Sequence, residues 1–271
     1  MQNKLFIFPV IVLSLFIIFI FWPFAGLLNK LRICLLITVV KCLCPFTRRG
    51  VKFKDFLFAD ILTSFGMALG NLTAALCILY CKQCRDSSLI NQECHKNYLI
   101  PFVIIFPAVI RIMQCSNMIY YGQKRKIEIV NIFKYSIHIC ESILGYCYGR
   151  KFVHFYAYII IVTISSTFLV FFDMIIDWNV WKFRSVNFML RDKLLYPKWF
   201  YYYAMIVNIL LRQFWFLSLV LPLEKDWILL IANFFEIYRR AQWILIRVEN
   251  EQLYNLEGYR KYLPIPEMPM H

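Results

Sequence analysis

The chain has 271 residues, of which 61% are hydrophobic and 18% aromatic, with only 8 glycines. That balance excludes a soluble globular domain, whose surface needs far more charge. The net charge of +14 does not point to nucleic acid, because the lysines and arginines fall in short clusters between apolar runs, as in cytoplasmic loops of membrane proteins.

Windows of about 20 residues predict about eight spans of an all-α, polytopic transmembrane bundle: residues 5–28, 31–46, 56–80, 98–120, 129–148, 152–176, 199–222 and 227–248. The first stretch is longer than a signal-peptide core, and Trp22 and Pro23 follow it instead of a small-residue cleavage site, so it reads as a retained helix. The second is short and interrupted by Lys41. Three loops are basic: Arg48, Arg49, Lys52 and Lys54; Lys124, Arg125 and Lys126; Lys182, Arg184, Arg191, Lys193 and Lys198. Alternating the spans puts all three on one side with both termini, which the positive-inside rule assigns to the cytoplasm. No linker or repeat divides the chain, so residues 1–271 read as one membrane domain.

The ten cysteines form no closing zinc pattern. Cys42 with Cys44, and Cys81 with Cys84, Cys94 and His95, fall at helix ends and lack four-ligand spacing. Cys84 and Cys94 share a loop expected on the non-cytoplasmic side, where a disulfide can form. Asn71-Leu72-Thr73 is a glycosylation sequon inside a predicted span and should be silent. The histidines His95, His138, His154 and His271 are scattered, and no nucleotide loop, Ser/His/Asp pattern or HExxH is present. The expectation is a protein that is not an enzyme, with no catalytic residue, no metal and no cofactor.

Polar residues inside the spans are patterned. Arg212 lies near the middle of 199–222, and Arg239, Arg240 and Arg247 lie in the next span. A guanidinium at the centre of a bilayer helix costs about 2.5 to 3.5 kcal/mol even on the lenient scale. Asp60, Thr63 and Ser64 share one helical face, as do Asn208, Arg212 and Trp215, and Glu236, Arg240, Trp243 and Arg247. Asp173 and Asp177 are one turn apart, and Lys134 and Tyr135 begin another span. Such stripes must face the bundle interior. Ion pairing would account for Asp173, Asp177 and Glu236 yet leave cations in excess, and facing cations suit the path of an anion.

The same stripes carry a family resemblance. Phe58-Ala59-Asp60-Ile61-Leu62-Thr63-Ser64 resembles the L-A-D-x-L-T-S signature of the EXS domain, the membrane domain of eukaryotic phosphate exporters. Arg111-Ile112-Met113-Gln114-Cys115 resembles its R-F-x-Q-C, and Asn131-Ile132-Phe133-Lys134-Tyr135-Ser136 its N-x-x-K-Y-S. Asp173 to Trp178 resembles D-x-x-x-D-W, followed by Leu190-Arg191 and Tyr196-Pro197. Leu211-Arg212 with Trp215 is similar to L-R-F-x-W. Glu236-Ile237-Tyr238-Arg239-Arg240-Ala241-Gln242-Trp243, continuing to Arg247-Val248-Glu249-Asn250-Glu251, follows E-x-x-R-R-x-x-W-x-x-x-R-x-E-N-E.

The resemblance implies export of inorganic phosphate, with Asp60, Thr63, Lys134, Tyr135, Arg212, Arg239 and Arg240 on the substrate path. Asp173, Asp177, Glu236 and Arg247 would balance charge, and Trp215 would gate. Several features depart from the pattern. The first 50 or so residues diverge, no stretch resembles the SPX domain of the longer exporters, and Ser116 to Tyr121 replace a basic segment. The SPX-less Golgi members are thus the nearer analogy, which implies an endomembrane rather than plasma-membrane location. The alternative is a non-transporting Golgi adaptor that retains or sorts enzymes. The expected partners are inorganic phosphate, the bilayer and a second copy of the chain, with no nucleic acid.

Overall fold

The computed structural model describes residues 29–43, 51–81, 97–121, 125–216 and 225–254, with the isolated positions Ser14, Ile18 and Cys94. The predicted span 5–28 is otherwise outside the described residues, as are Arg48, Arg49, Cys44, Cys84, His95, Lys124, residues 217–222 and His271.

Eight α-helices and no strand make up the described residues. They are α1 (Asn29–Leu43), α2 (Phe53–Ser64), α3 (Gly66–Cys81), α4 (Leu99–Tyr120), α5 (Arg125–Gly149), α6 (Phe155–Phe172), α7 (Lys198–Arg212) and α8 (Lys225–Tyr254). α4 and α6 are predominantly apolar, with Arg111, Gln114, Ser165 and Ser166 confined to their buried sides. Both are long and apolar enough to cross a membrane: Leu99–Tyr120, and Phe155–Asp177 once a terminal π-turn is included. Ile160 and Ile164 on α6 and Phe102 on α4 point outward, where lipid would solvate them.

The other predicted spans are more broken than hydropathy alone suggests. Residues 56–80 are two helices that meet at Phe65 and bend by 55°. There the Phe65 N–H turns back to Leu62 O at 3.0 Å, and the helix restarts when Leu69 N donates to Phe65 O at 2.8 Å. The span 199–222 ends its helix at Arg212, after 15 residues, and a short 3-10 turn Phe214–Phe216 follows. The described part of α1, Asn29–Leu43, is 15 residues long. α5 and α8 run 25 and 30 residues, but each carries interior charge.

Packing follows the chain order. α4 lies against α2, α3 and α5; α6 bridges α5 and α7; α8 closes the bundle against α2, α7 and the π-turn. α3 and α4 cross closely because Gly66 and Gly70 have no side chain there. A Cβ on Gly66 would stand 2.8 Å from Ile104 O, and one on Gly70 2.7 Å from Ile104 Cγ1. The main apolar core joins Met174, Trp178 and Leu190 to Tyr201, Met205, Trp243 and Ile246.

Cys94 is bonded to Cys77, a residue inside α3. The sequence leaves open whether Cys94 bonds to Cys84; its partner is Cys77, one helical turn before Cys81, a position that loop spacing does not reveal.

Candidate functional site

Each helix interruption borders a buried polar cluster. The bend at Phe65 follows Asp60, Thr63 and Ser64; the π-turn spans Asp173–Asp177; the end of α7 is Arg212. Such departures from regular helix recur at functional sites, and broken helices supply ion sites within membrane proteins.

Three aspartates organise the cluster, and each takes two cations. Asp60 on α2 accepts from Arg240 Nη1 of α8 at 2.9 Å and lies 3.6 Å from Arg111 Nε of α4. The Tyr135 hydroxyl donates to Asp60 Oδ1 and accepts from Arg111 Nε at 3.0 Å. Asp173 accepts from Arg212 at 2.8 Å and from Arg239 at 3.4 Å. Asp177 accepts from Lys134 at 3.0 Å and from Trp243 Nε1 at 3.3 Å, with Arg247 Nε at 3.9 Å. Glu236 holds Arg239 at 2.5 Å from the same helix, and Glu251 holds Arg247 at 3.5 Å. The cations are thus more fully paired than the sequence suggests, because three aspartates, one on α2 and two on the π-turn after α6, are shared across the bundle.

The cluster is not sealed evenly. The side chains of Arg111, Arg239 and Arg247 are 0 to 2% exposed, whereas Lys134 is 8%, Arg240 10%, Arg212 17% and Glu236 34% exposed. His138, one turn beyond Lys134 on α5 and half-buried, stands within electrostatic range of these same four groups. Lys134 and Arg240 are still buried, and His138, Arg212 and Glu236 half-buried, so these five mark the less sealed side of the cluster. Behind it, Arg212 Nε and Asn208 Nδ2, one turn apart on α7, are buried donors with no acceptor among the described residues. Buried donors without partners cost about 1 to 3 kcal/mol each, and an anion would satisfy them. Further along, Ser165 donates to Glu141 at 2.8 Å and Ser166 to Gln213 at 3.2 Å, so the polar face of α5 continues past His138.

Of the residues expected on the path, Asp60, Lys134, Tyr135, Arg212, Arg239 and Arg240 meet here, with Asp173, Asp177, Glu236 and Arg247. Thr63 stands beside them, but its hydroxyl donates to Asp60 O at 2.6 Å. Its neighbour Ser64 faces the cluster instead and accepts from Arg240 Nε at 2.6 Å. Trp215 lies in the 3-10 turn, packed edge-on against Phe216 at 6.1 Å. Sequence reasoning passed over His138, although its i+4 spacing from Lys134 was the signal that would have found it. It also left Arg111 out of the site; a buried arginine inside an apolar span was signal enough.

A second set ties the C-terminal end of α8 to the segment before α7. Arg191 pairs with Glu249 at 2.9 Å and donates to Asn250 at 3.1 Å; Asn250 donates to Asp177 O at 2.8 Å; Tyr201 donates to Glu249 at 2.6 Å. These contacts hold the π-turn in place.

A model described as the EXS family matches residues 1–253. SPX and EXS domain-containing protein 3 of Dictyostelium discoideum is 30% identical over 97% of the chain, which covers 30% of that protein. Phosphate transporter PHO1 homolog 10 of Arabidopsis thaliana is 28% identical over 97% of the chain and 34% of its own length. Solute carrier family 53 member 1 of Homo sapiens is 29% identical over 98% of the chain and 42% of its own length. The chain spans less than half the length of these relatives.

Proposed function

Because the chain belongs to the EXS family, we propose that it carries inorganic phosphate across the membrane through the wall formed by Lys134, His138, Arg212, Glu236 and Arg240. The observation that carries this reading is the uneven sealing of the cluster: its less sealed side sets three cations against one carboxylate, and that carboxylate is already bound to Arg239. The name of one relative, a phosphate transporter, supports phosphate as the anion.

In this mechanism Arg212, Arg240 and Lys134 replace the hydration shell of the entering ion, and the free donors of Arg212 and Asn208 complete its contacts. Asp60, Asp173 and Asp177 keep the cations from holding the ion too tightly, since conduction requires release as well as entry. Thr63 and Tyr135 reach the ion only by letting go of Asp60, which places them after entry. Arg239 and Arg247, held by Glu236, Asp173, Asp177 and Glu251, position the others. Trp215, just past the end of α7, is the gate. We read the direction as export, down the electrochemical gradient of phosphate from the cytoplasm outward.

Binding tests this directly. Inorganic phosphate should raise the melting temperature of the purified chain with the logarithm of its concentration, reaching about 2.7 kcal/mol of stabilisation at a hundred times Kd. Chloride at equal ionic strength should not, and Arg212→Ala should abolish the phosphate effect. A wild-type chain that responds equally to phosphate and chloride contradicts the proposal.

A further inference from the structure

Three cysteine sulfurs meet where α3 ends. Cys77 and Cys81 lie at i and i+4 on that helix, one turn apart on one face. Cys94, buried, precedes α4 and is bonded to Cys77. All three sulfurs lie within 4.8 Å of one another, and Cys81 is a free, half-buried thiol. A closed zinc site takes four ligands, and two of these three sulfurs are already joined. A disulfide with a third thiol beside it is the reactant pair of thiol–disulfide exchange.

The geometry points to Cys81 as an exchange thiol that moves the Cys94 bridge by one turn along α3. The thiolate of Cys81 attacks Sγ of Cys94. The Cys81–Cys94 bond forms as the Cys77–Cys94 bond breaks, and Cys77 leaves as a thiolate that takes up the proton Cys81 released to water. One disulfide and one thiol are present before and after, so the step consumes no oxidant or reductant. Four residues of helix shift the anchor by about 6 Å. α3 is pressed on α4 at Gly66 and Ile104, and across the bend at Phe65 it continues α2, which carries Asp60 and Ser64. The bridge position therefore sets how the segment before α4 is tied to the helix pair that enters the polar cluster. This inference does not depend on what the cluster conducts.

Disulfide mapping on the full chain in nanodiscs tests it. Acid quenching and alkylation in denaturant freeze the bridges. Cleavage after Tyr80, Lys82 and Arg85 then puts Cys77, Cys81, Cys84 and Cys94 on four separate peptides. After several hours near pH 8, where an ordinary thiol is partly ionised, the wild type should show Cys77–Cys94 with a minor Cys81–Cys94 species. Alkylating Cys81 before the incubation should abolish the minor species. Cys77→Ser, reoxidised with glutathione disulfide as donor and releasing two glutathione thiols, should make Cys81–Cys94 the major bridge. A wild type that never forms Cys81–Cys94 overturns the proposal, whether or not the variant folds. So does a Cys77→Ser chain in which Cys94 is alkylated or joined to Cys84.

Discussion

Asp173 accepts from Arg212 at 2.8 Å and from Arg239 at 3.4 Å, so the loss of Arg212 still leaves that carboxylate a partner. The converse does not hold, because Asp173 is the carboxylate paired with Arg212 among the described residues. Breaking a buried pair by removing the partner a charge depends on costs about 3 to 5 kcal/mol. Arg212→Ala should therefore melt within about 1 kcal/mol of the wild type, and Asp173→Asn should lose several times that; thermal unfolding of the two purified variants decides it. Equal losses would mean that Arg212 is a structural ion-pair partner. Ser64→Ala removes an acceptor from Arg240, a contact worth about 1.5 to 3 kcal/mol, and should destabilise more than Thr63→Ala, whose hydroxyl bonds only its own helix backbone. The stripe spacing identified both residues, but which hydroxyl meets Arg240 depends on the crossing of α2 and α8. That crossing joins residues 176 apart in sequence, so no local pattern could show it.

The elements were legible where hydrophobic periodicity runs unbroken. Predicted spans 98–120 and 129–148 fall within a few residues of α4 and α5. The break at Phe65 has a sequence mark in the glycine that follows it, Gly66, but those at Asp173–Asp177 and Arg212 were not legible, because no proline or glycine marks them and hydropathy averages across them. Tertiary pairing of the charged residues at each break makes up for the lost helix bonds. The crossing of α3 and α4 carries its own test. A Cβ on Gly66 meets a backbone oxygen, which cannot rotate away, whereas one on Gly70 meets the end of the Ile104 side chain and one on Gly149 meets nothing within 4 Å. Gly66→Ala should lower the melting temperature clearly, Gly70→Ala less, and Gly149→Ala not at all or slightly raise it. The reverse order, read by the same melt, would show that the close crossing is not what the glycines provide.

At the scale of the molecule, the bundle surrounds its charges with apolar helices, and the basic loops decide which way it faces. The segment with Lys182 and Arg184 should be cytoplasmic and the turn at Arg150 and Lys151 on the opposite side. A glycosylation sequon inserted at the turn should be glycosylated in a eukaryotic host, and one beside Arg184 should not; the opposite pattern would invert the topology. That charge lies inside the bundle was readable from composition and spacing, but its division into a sealed and a less sealed part was not, since exposure depends on how α5, α7 and α8 pack. The less sealed part is where the proposed path runs, and flux measures it most directly. Purified chain reconstituted in liposomes should move radiolabelled phosphate well above empty vesicles. At equal folded protein, Arg212→Ala should lower that flux at least about tenfold, roughly 1.4 kcal/mol of barrier, while Gly149→Ala leaves it unchanged. Wild-type vesicles no leakier to phosphate than empty ones, or an Arg212→Ala chain that conducts at the wild-type rate, would contradict the account.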